Sequence, residues 1–450
     1  MSKHLAKVDV ALFLTRKREG KALRKRTLAE IHRLARARAK IYRETKRGVF
    51  GGHSVIARML GLTAKAELYL PQTSLHLVVP RTFSMLEDPE EVLGLVSSFA
   101  LTHQYRSISD VYVDFERVVV QDLGAHALLD KLVDEIVAQV AFQRGRMGWK
   151  GNFPADAAQK RFIKAMGIIR QLGLTKRYLD PIEAHSIHLF ERRCRHYVRE
   201  MKPVNPQDKS AQGNAAHRFI DHVNKCLARE GRELTPEGRL SLCDYVVEVI
   251  DNAENHAGMV DWTIQGYVDM AMNEPVCEIV IFNFGKSISE SLDNLSTKSY
   301  TMQSQVQPYL DLHNKNGWLN HHWRREDLQT LIALQGSVSS KNQSISDTRG
   351  QGTADLIESF QAMNDERNAD DGVASMYIIS GGTRILFDPK YRLVRGEDGT
   401  RRIAFNQEND LRKPPDPSCV MPLKNGLRLP GTIIGIKFKV RSGILQQADE

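Results

Sequence analysis

The chain has 450 residues, of which 42% are hydrophobic and 26% are charged, and its formal net charge is +9. This composition is typical of a soluble globular protein, and the length can hold two or three domains that each bury a core. The apolar runs are far shorter than the roughly 20 residues that cross a bilayer. The basic N-terminus is not followed by the apolar segment of a secretory signal. We therefore expect a cytoplasmic protein without membrane contact.

The five cysteines are scattered along the chain and form no CxxC pair. An odd number of dispersed cysteines argues against a disulfide framework and against a structural zinc site. This cysteine usage supports the expectation of a reducing compartment.

The positive charge is concentrated at the N-terminus. Residues 1–50 contain 16 lysines and arginines against 4 acidic residues, a net of +12, so the rest of the chain sums to −3. Apolar residues recur at helical spacing over 15–47, which predicts an amphipathic helix with a broad cationic face. The candidate contact residues on this face are Arg24, Lys25, Arg26, Arg33 and Arg36.

A cationic helix of this kind can contact nucleic-acid phosphates or an acidic protein partner. The alternative is a solvated helix whose arginines pair with acidic residues elsewhere in the chain. No base-reading motif accompanies the charge, so nucleic-acid binding through this segment stays one of several open interpretations.

Residues 71–200 alternate between strand-like and helix-like patterns, which predicts a small α/β domain with a sheet covered by helices. The expected strands are 75–79 and 110–115, and the expected helices are 89–105, 123–143 and 157–172. The glycine-rich stretch 148–152 is expected to form a turn between the last two helices.

The run from Val111 to Leu129 resembles the core of the STAS domain, the anti-anti-sigma-factor fold. An apolar strand ending in Asp114 leads through a loop into a helix rich in small and aliphatic residues. Signalling members of that family carry a phosphorylatable serine at the start of this helix. Here the loop, residues 121–124, contains neither Ser nor Thr. The resemblance therefore implies a domain that docks or acts as a scaffold rather than one that accepts a phosphate.

The C-terminal half begins after the polar segment 201–214, whose prolines and glycine are typical of an inter-domain linker. A helix is expected over 217–229, and a second helix follows. On this second helix Glu248, Asn252 and His256 are spaced at i, i+4 and i+8, so they lie on one face. A carboxylate and an amide one turn apart can hold a water and a divalent cation together.

Further along the chain, short motifs with glycines or hydroxyl residues occur beside predicted strands and helices. They are Asn283-Phe284-Gly285-Lys286-Ser287-Ile288 after the strand 277–282, then Ser339-Ser340-Lys341, then Gly350-Gln351-Gly352 before a helix, and finally Gly431-Thr432 before a strand. A lone glycine motif is weak, but these follow one another in a definite order.

The order of these elements over residues 215–440 resembles the GHKL superfamily, which includes gyrase B subunits, MutL mismatch-repair proteins, heat-shock chaperones and sensor kinases. The segment from Glu248 to His256 looks like the N-box of that superfamily, and the glycine motifs look like its glycine boxes and terminal Gly-Thr. The resemblance implies an α/β sandwich, with a mixed sheet covered by helices, that binds ATP and Mg²⁺.

The resemblance also implies roles for individual residues. Asn252 would bind Mg²⁺, a hard cation that prefers oxygen ligands. Glu248 would act as a general base, which favours ATP hydrolysis or phosphorylation of a hydroxyl over phosphorylation of histidine. The other residues expected at the nucleotide are His256, Asn283, Gly285, Ile288, Lys341, Gly350, Gly352 and Thr432.

Two positions depart from the superfamily pattern. Asn283 stands where the family has an adenine-binding Asp, so the charge-assisted part of that hydrogen bond is lost. Ser287 stands where the family has a second glycine, and its side chain narrows the space expected for the ribose.

We expect an α+β or α/β multidomain protein, with a basic helical segment (1–70), a STAS-like α/β domain (71–200), a linker (201–214) and a GHKL-type domain (215–450). The first functional hypothesis is an ATP-driven conformational switch for an unidentified protein partner, in which residues 289–348 close as a lid. The second is an anti-sigma-like serine/threonine kinase. The third is a nucleic-acid-sensing or defence-system subunit with little turnover. A homodimer also stays open.

Overall fold

A computed structural model describes most of the chain. The described residues are 54–61, 74–101, 110–143, 148–172, 187–194, 210–228, 231–256, 261–271, 275–336, 338, 351–365, 374–396, 399–440 and 445–447. The candidate contacts Arg24, Lys25, Arg26, Arg33 and Arg36 lie outside these residues, as do Lys341 and Gly350. No described helix is long and apolar enough to cross a membrane.

The N-terminal unit alternates strands and helices, as expected. Its elements are α1 (Val55–Gly61), β1 (Ser74–Val78), β2 (Thr82–Phe83), α2 (Pro89–Leu101), β3 (Asp110–Asp114), β4 (Val120–Gln121), α3 (Leu123–Gln143), β5 (Gly148–Asn152), α4 (Ala157–Ala165) and α5 (Ile168–Gln171). Strands β1, β3 and β5 form a parallel sheet in that order, and β2 pairs in parallel with β4. The helix predicted over 123–143 is confirmed at both ends.

Two predictions for this unit, the turn over 148–152 and the uninterrupted helix over 157–172, are wrong, and in both cases a glycine explains the difference. The stretch 148–152 is the strand β5, because its glycine lets two backbones approach closely: a Cβ on Gly151 would lie 2.3 Å from the carbonyl oxygen of Val113. The helix predicted over 157–172 is interrupted at Gly167, whose φ of 76° lies in the left-handed region. A Cβ there would also lie 2.7 Å from Nδ1 of His126.

The C-terminal unit is built on one large sheet. Its elements are β6 (Ile187–Cys194), α6 (Ser210–Leu227), β7 (Arg232–Leu234), α7 (Pro236–His256), β8 (Trp262–Asp269), β9 (Val276–Phe284), α8 (Ile288–Asp293), a π-helix (Thr301–Val306), α9 (Gln307–Lys315), α10 (Arg325–Ile332), α11 (Gln351–Asp365), β10 (Ser375–Gly381), β11 (Thr383–Leu386), β12 (Val394–Arg395), β13 (Arg401–Arg402), β14 (Val420–Pro422), a 3₁₀-helix (Lys424–Gly426), β15 (Leu429–Lys439) and β16 (Leu445–Gln447).

Seven of these strands form a sheet in the order β14-β11-β10-β15-β9-β8-β6. Every pairing between its described strands is antiparallel. The broad α+β class is therefore as predicted, but the expected mixture of parallel and antiparallel strands is not found in this sheet. The strand nearest the N-terminal unit in sequence, β6, pairs with β8, although the sequence placed residues 187–194 in the preceding domain.

Both faces of the sheet are buried, and alternate residues of each strand belong to different cores. On β9, Ile279 and Ile281 join the core that contains residues of α6, α7 and α11. Val280 and Phe282 join the core that contains residues of α2 and α3. Strands buried on both faces read as continuous apolar runs, which explains the unbroken hydrophobic stretch of β9.

Two further expectations need correction. Helix α6 begins at Ser210, so residues 210–214 are helical and not part of a linker. Residues from α8, the π-helix, α9 and α10, including Leu292, Val306 and Leu328, lie in the core that contains residues of α6, α7 and α11. We call this the main core. The described part of 289–348 therefore cannot close as a single lid without opening that core.

Candidate functional site

A row of polar side chains crosses one end of the large sheet. Asn283 of β9 is paired with Thr432 of β15, Thr432 is paired with Ser380 of β10, and Ser380 is paired with Thr383 of β11. Residues two positions away on the same strands, which share a face with them, are Ile281, Ile434, Ile378 and Ile385, and all four join the core that contains residues of α7. The polar row therefore shares its sheet face with the helix that carries Glu248 and Asn252.

Asn283 is the distinctive member of this row. The residue as a whole is 6% exposed. Its amide carbonyl accepts hydrogen bonds and its NH₂ group donates them, so this side chain could pair with a polar ligand at the end of β9.

The hydroxyl groups next to Asn283 hold the neighbouring turn in place. The hydroxyl oxygens of Ser380 and Thr432 lie 2.7 Å apart, so one donates to the other. The Ser380 oxygen also accepts a hydrogen bond from the backbone N–H of Ile288, at 2.9 Å. Ile288 packs against the main core from this position. Ser380 thus ties three elements, β10, β15 and the start of α8, to each other.

Two glycines border the row, and their conformations require glycine. Gly285 follows β9 with a φ of 129°, and Gly431 lies on β15 with a φ of 138°. A Cβ on Gly431 would lie 2.0 Å from the carbonyl oxygen of Asn283, so no side chain fits there. The N–H of Gly285 donates to the carbonyl of Pro430, at 3.2 Å. The glycines predicted from the sequence therefore bring the two strands together beside Asn283.

Ser287, the departure from the second glycine, has a structural role. Its hydroxyl accepts from the N–H of Glu290, at 3.1 Å, and the Glu290 carboxylate accepts from the N–H of Ser287, at 2.8 Å. This reciprocal pair is a capping box at the start of α8. The φ of Ser287 is −69°, so the position does not require glycine. Its side chain is used by the helix rather than directed at a ligand.

Charged residues surround this turn. The Arg428 guanidinium donates to the Glu290 carboxylate at 2.8 Å, and the Glu326 carboxylate accepts from the N–H of Gly382 at 2.8 Å. The Asp327 carboxylate accepts from the guanidinium and the backbone N–H of Arg324. It also accepts from the hydroxyl of Thr383, at 2.7 Å. These bonds fix the β10–β11 turn against α8 and α10.

The other predicted site residues lie on elements around this row. The helix predicted to carry Glu248, Asn252 and His256 is confirmed as α7, although their side chains lie outside the described part of the structure. Gly352 is the second residue of α11, so the prediction that a helix begins at this glycine motif is confirmed. Helices α7 and α11 pack against each other. Their roles in binding stay predictions.

The resemblance to the GHKL superfamily implies contacts to the base and to the phosphates of ATP. The amide of Asn283, at the end of β9, has a carbonyl oxygen that could accept from the amino group of a base. Among the described residues, no group of three or more His, Cys, Asp or Glu side chains is placed to hold a metal ion. The expected Mg²⁺ ligand, Asn252, is not among the side chains described, so the metal stays an expectation.

Sequence reasoning missed Ser380, which links Thr432 to the turn. The feature of the sequence that could have identified Ser380 is its position at the end of an apolar strand, directly before Gly381 and Gly382. Polar residues at strand ends next to a glycine turn are candidates for such a role. Its partners, however, are 92 and 52 residues away in sequence.

Comparison of the chain with protein-family models, with curated proteins and with solved structures found no significant match. The resemblances to the GHKL superfamily and to STAS domains therefore rest on the motifs and on the site residues themselves.

Proposed function

We propose that the C-terminal unit binds ATP with Mg²⁺ and hydrolyses it, and that the nucleotide acts as a conformational switch for a partner protein. The observation that carries this proposal is the pairing of Asn283 with Thr432 at one end of the sheet, between Gly285 and Gly431 and on the face covered by α7. This is the position at which the sequence motifs place the base.

In this proposal, different residues contact the base and the phosphates of ATP. The Asn283 carbonyl accepts a hydrogen bond from the amino group of the base, and Ser380 keeps Thr432 and the turn at Ile288 in position next to it. Backbone N–H groups at the start of α11 face the phosphates, because the first turn of a helix has unpaired donors and a favourable dipole. Bound Mg²⁺ would neutralise phosphate charge.

Glu248 and Asn252 are one turn apart on α7 and therefore face the same direction. Asn252 would supply a neutral oxygen to Mg²⁺, and Glu248 would accept the proton of the attacking water. In this scheme Glu248 contacts the attacking water and not the adenine ring. Its loss is therefore expected to slow ATP hydrolysis more than it weakens ATP binding.

A connection between the site and the N-terminal unit supports the switch rather than a simple binding module. The N–H of Phe284, next to Asn283, donates to the carbonyl of Asp261. The Asp261 carboxylate in turn forms an ion pair of 3.1 Å with Lys131 of α3. A change at the end of β9 can therefore reach the N-terminal unit through two contacts.

The kinase hypothesis requires a partner protein that carries the acceptor hydroxyl, because the loop 121–124 of this chain contains neither Ser nor Thr. The start of α3, where STAS-like signalling domains carry their serine, is buried against the large sheet, and the N–H of Leu123 donates to the Glu278 carboxylate at 2.8 Å. This face of the N-terminal unit is therefore already docked within the same chain.

The test is to measure Mg-ATP binding by calorimetry and phosphate release for the wild type, Asn252→Ala and Glu248→Ala. We expect Asn252→Ala to lose binding, and Glu248→Ala to bind ATP without releasing phosphate. Glu237→Ala, on the exposed first turn of the same helix, is the matched control and should behave as the wild type. A wild-type protein with no affinity for any adenine nucleotide would show that the proposal is wrong.

A further inference from the structure

Asp130 of α3 is buried without a hydrogen-bond partner. It is 1% exposed, and neither of its carboxylate oxygens makes a hydrogen bond to any of the described residues. The other buried carboxylates of this helix are paired: Asp134 accepts from Arg193 at 2.8 Å, and Glu135 accepts from the hydroxyl of Ser54 at 3.0 Å. Since the large majority of buried polar side chains have a partner, the Asp130 carboxyl needs an explanation.

The two arginines around this carboxyl are directed at other acidic groups. Besides its bond to Asp134, the Arg193 guanidinium of β6 forms an ion pair with Glu191. Arg170 of α5 donates to the same Glu191 carboxylate, at 2.7 Å. The interface between the N-terminal unit and the sheet therefore gives Asp130 no hydrogen-bonded cation among the described residues.

The other charged groups that the sheet presents to α3 are acidic and are used elsewhere. Asp261, directly before β8, forms its ion pair of 3.1 Å with Lys131. Glu278 of β9 accepts from the N–H of Leu123, at 2.8 Å. Neither carboxyl can act as a counter-ion for Asp130.

The surroundings of Asp130 favour its neutral form. An ionised carboxylate is far more costly to bury without a partner than a neutral group, and groups in such positions usually become neutral instead. Burial raises the pKa of Asp130 well above its ordinary value, and the negative charges of Glu191 and Asp134 act in the same direction. The positive charges of Arg193 and Arg170 oppose the rise without cancelling it.

We propose that Asp130 holds a proton when the N-terminal unit lies on the sheet, so that docking takes up one proton and weakens as pH rises. The proton takes the place of the counter-ion that the interface does not supply. This inference does not depend on the proposed nucleotide site, and it makes the contact between the two units sensitive to pH.

The unfolded chain and the folded protein lose the Asp130 proton at different pH. In the unfolded chain the carboxyl ionises near about pH 4, whereas in the folded protein its pKa is higher. The stabilisation is therefore complete below about pH 4 and is lost as pH rises through the folded pKa. A difference of one bound proton changes the unfolding equilibrium constant about tenfold per pH unit.

The experiment is to compare denaturant unfolding of the full chain for the wild type and Asp130→Asn between about pH 5 and about pH 9, which spans the region above the ordinary pKa of a carboxyl. The amide of the variant cannot ionise. Its unfolding equilibrium constant should therefore rise with pH less steeply than that of the wild type, by up to about tenfold per pH unit. Asp221→Asn makes the same change at an exposed position of α6 and should keep the wild-type slope.

Infrared spectroscopy tests the protonation without any change at Asp130. A protonated carboxyl has a carbonyl absorption that an ionised carboxylate lacks. The spectrum is recorded for Glu278→Gln, because the pKa of Glu278 is also raised, to about 7. We expect the absorption to be present at about pH 6, where exposed carboxyls are ionised, and to disappear when Asp130→Asn is added.

Equal pH slopes in the wild type and Asp130→Asn would show that the proposal is wrong, because the carboxyl is then ionised in the folded protein. A Glu278→Gln protein without the protonated-carboxyl absorption would lead to the same conclusion. If stability depends instead on the concentration of Na⁺ or K⁺ at constant ionic strength, a bound cation accompanies Asp130, and the proposed proton is wrong.

Discussion

The two faces of the strand β8, within the seven-stranded sheet, are buried by different means. Its residues Trp262, Ile264 and Val268 point into the core formed with α6, α7 and α11. The alternate residues on the other face are mostly polar and meet the N-terminal unit, beginning with Asp261, which immediately precedes the strand, and ending with Asp269. On β8, one face is thus buried by apolar packing and the other largely by polar and charged side chains. On β9 and β15 the second face is apolar as well, with Val280, Phe282 and Ile433 in the core shared with α2 and α3.

On the sheet face that meets the N-terminal unit, the polar contacts are specific pairs between the two units. They are Lys131 with Asp261, Asp134 with Arg193, Arg161 with Asp269, Arg170 with Glu191, and the N–H of Leu123 with Glu278. Apolar packing tolerates small shifts, whereas a buried charge is stable only opposite its partner. We infer that these pairs define one arrangement of the N-terminal unit on the sheet.

Close approach supports the same arrangement. A Cβ on Gly124 at the start of α3 would lie 2.0 Å from the hydroxyl oxygen of Tyr377 on the sheet. A Cβ on Gly435 would lie 2.3 Å from the Tyr377 ring. Both glycines therefore make room for this tyrosine, which fills the gap between α3 and β10.

The largest effect is expected from removing one partner of the buried ion pair. Lys131 is 0% exposed and contacts both Asp261 and Glu135. Lys131→Met should lower the free energy of unfolding by about 3–5 kcal/mol, because two buried carboxylates lose their counter-ion. Denaturant unfolding of the full chain measures this loss.

Lys150→Met is the matched control, because the side chain of Lys150 is 72% exposed and its loss should change stability by less than about 0.5 kcal/mol. The double variant Lys131→Met/Asp261→Asn should recover part of the loss, since Asp261 then carries no charge. If Lys131→Met and Lys150→Met have the same stability, charge pairing does not hold this face.

The second effect concerns pH. Burial raises the pKa of Glu278 from 4.5 to about 7, with Lys437 opposing the rise and Asp122 adding to it. The folded protein then binds more protons than the unfolded chain between these two values, so this group lowers stability as pH rises through that window. The pKa difference corresponds to on the order of 2–3 kcal/mol, lost between about pH 5 and about pH 8.

Glu278→Gln removes this titration, so the difference in unfolding free energy between those two pH values should shrink by the same amount. The comparison is made within each variant, which cancels any constant effect of the new amide. Glu91→Gln, at an exposed position on α2, should keep the wild-type pH dependence. An unchanged slope in Glu278→Gln would mean that this carboxyl does not carry the pH dependence of docking.

Local patterns predicted much of the fold, because they depend on neighbours in sequence. The apolar periodicity of 123–143 identified α3 at both ends, and the run before Asn283 identified β9. The stretch 148–152 was predicted as a turn because its glycines have the composition of one, whereas the contact with Val113 that requires Gly151 comes from a strand far away in sequence.

The candidate site was predicted unevenly for the same reason. The spacing of motifs indicated Asn283, Gly285 and Thr432, and the strand register brings these three together. Ser380 and the Lys131–Asp261 pair were missed, since the paired residues are separated by 52 and 130 positions and have no local signature. No spacing rule connects residues whose only relation is contact in the folded chain.

The smallest effect is expected from the turn at Ser287, between β9 and α8, next to the proposed site. Ser287→Ala removes the side-chain oxygen that caps α8 and should lower the free energy of unfolding by about 1 kcal/mol, whereas Ser287→Gly should cost less than that. Asp156→Ala removes the matching cap of α4 in the N-terminal unit and should cost a similar amount. Only the Ser287 variants should alter ATP affinity, because the N–H of Ile288, at the start of α8, donates to Ser380 next to the proposed site.

If all three variants bind ATP as tightly as the wild type, the turn at Ser287 does not affect nucleotide binding. Ser287 would then only stabilise the start of α8.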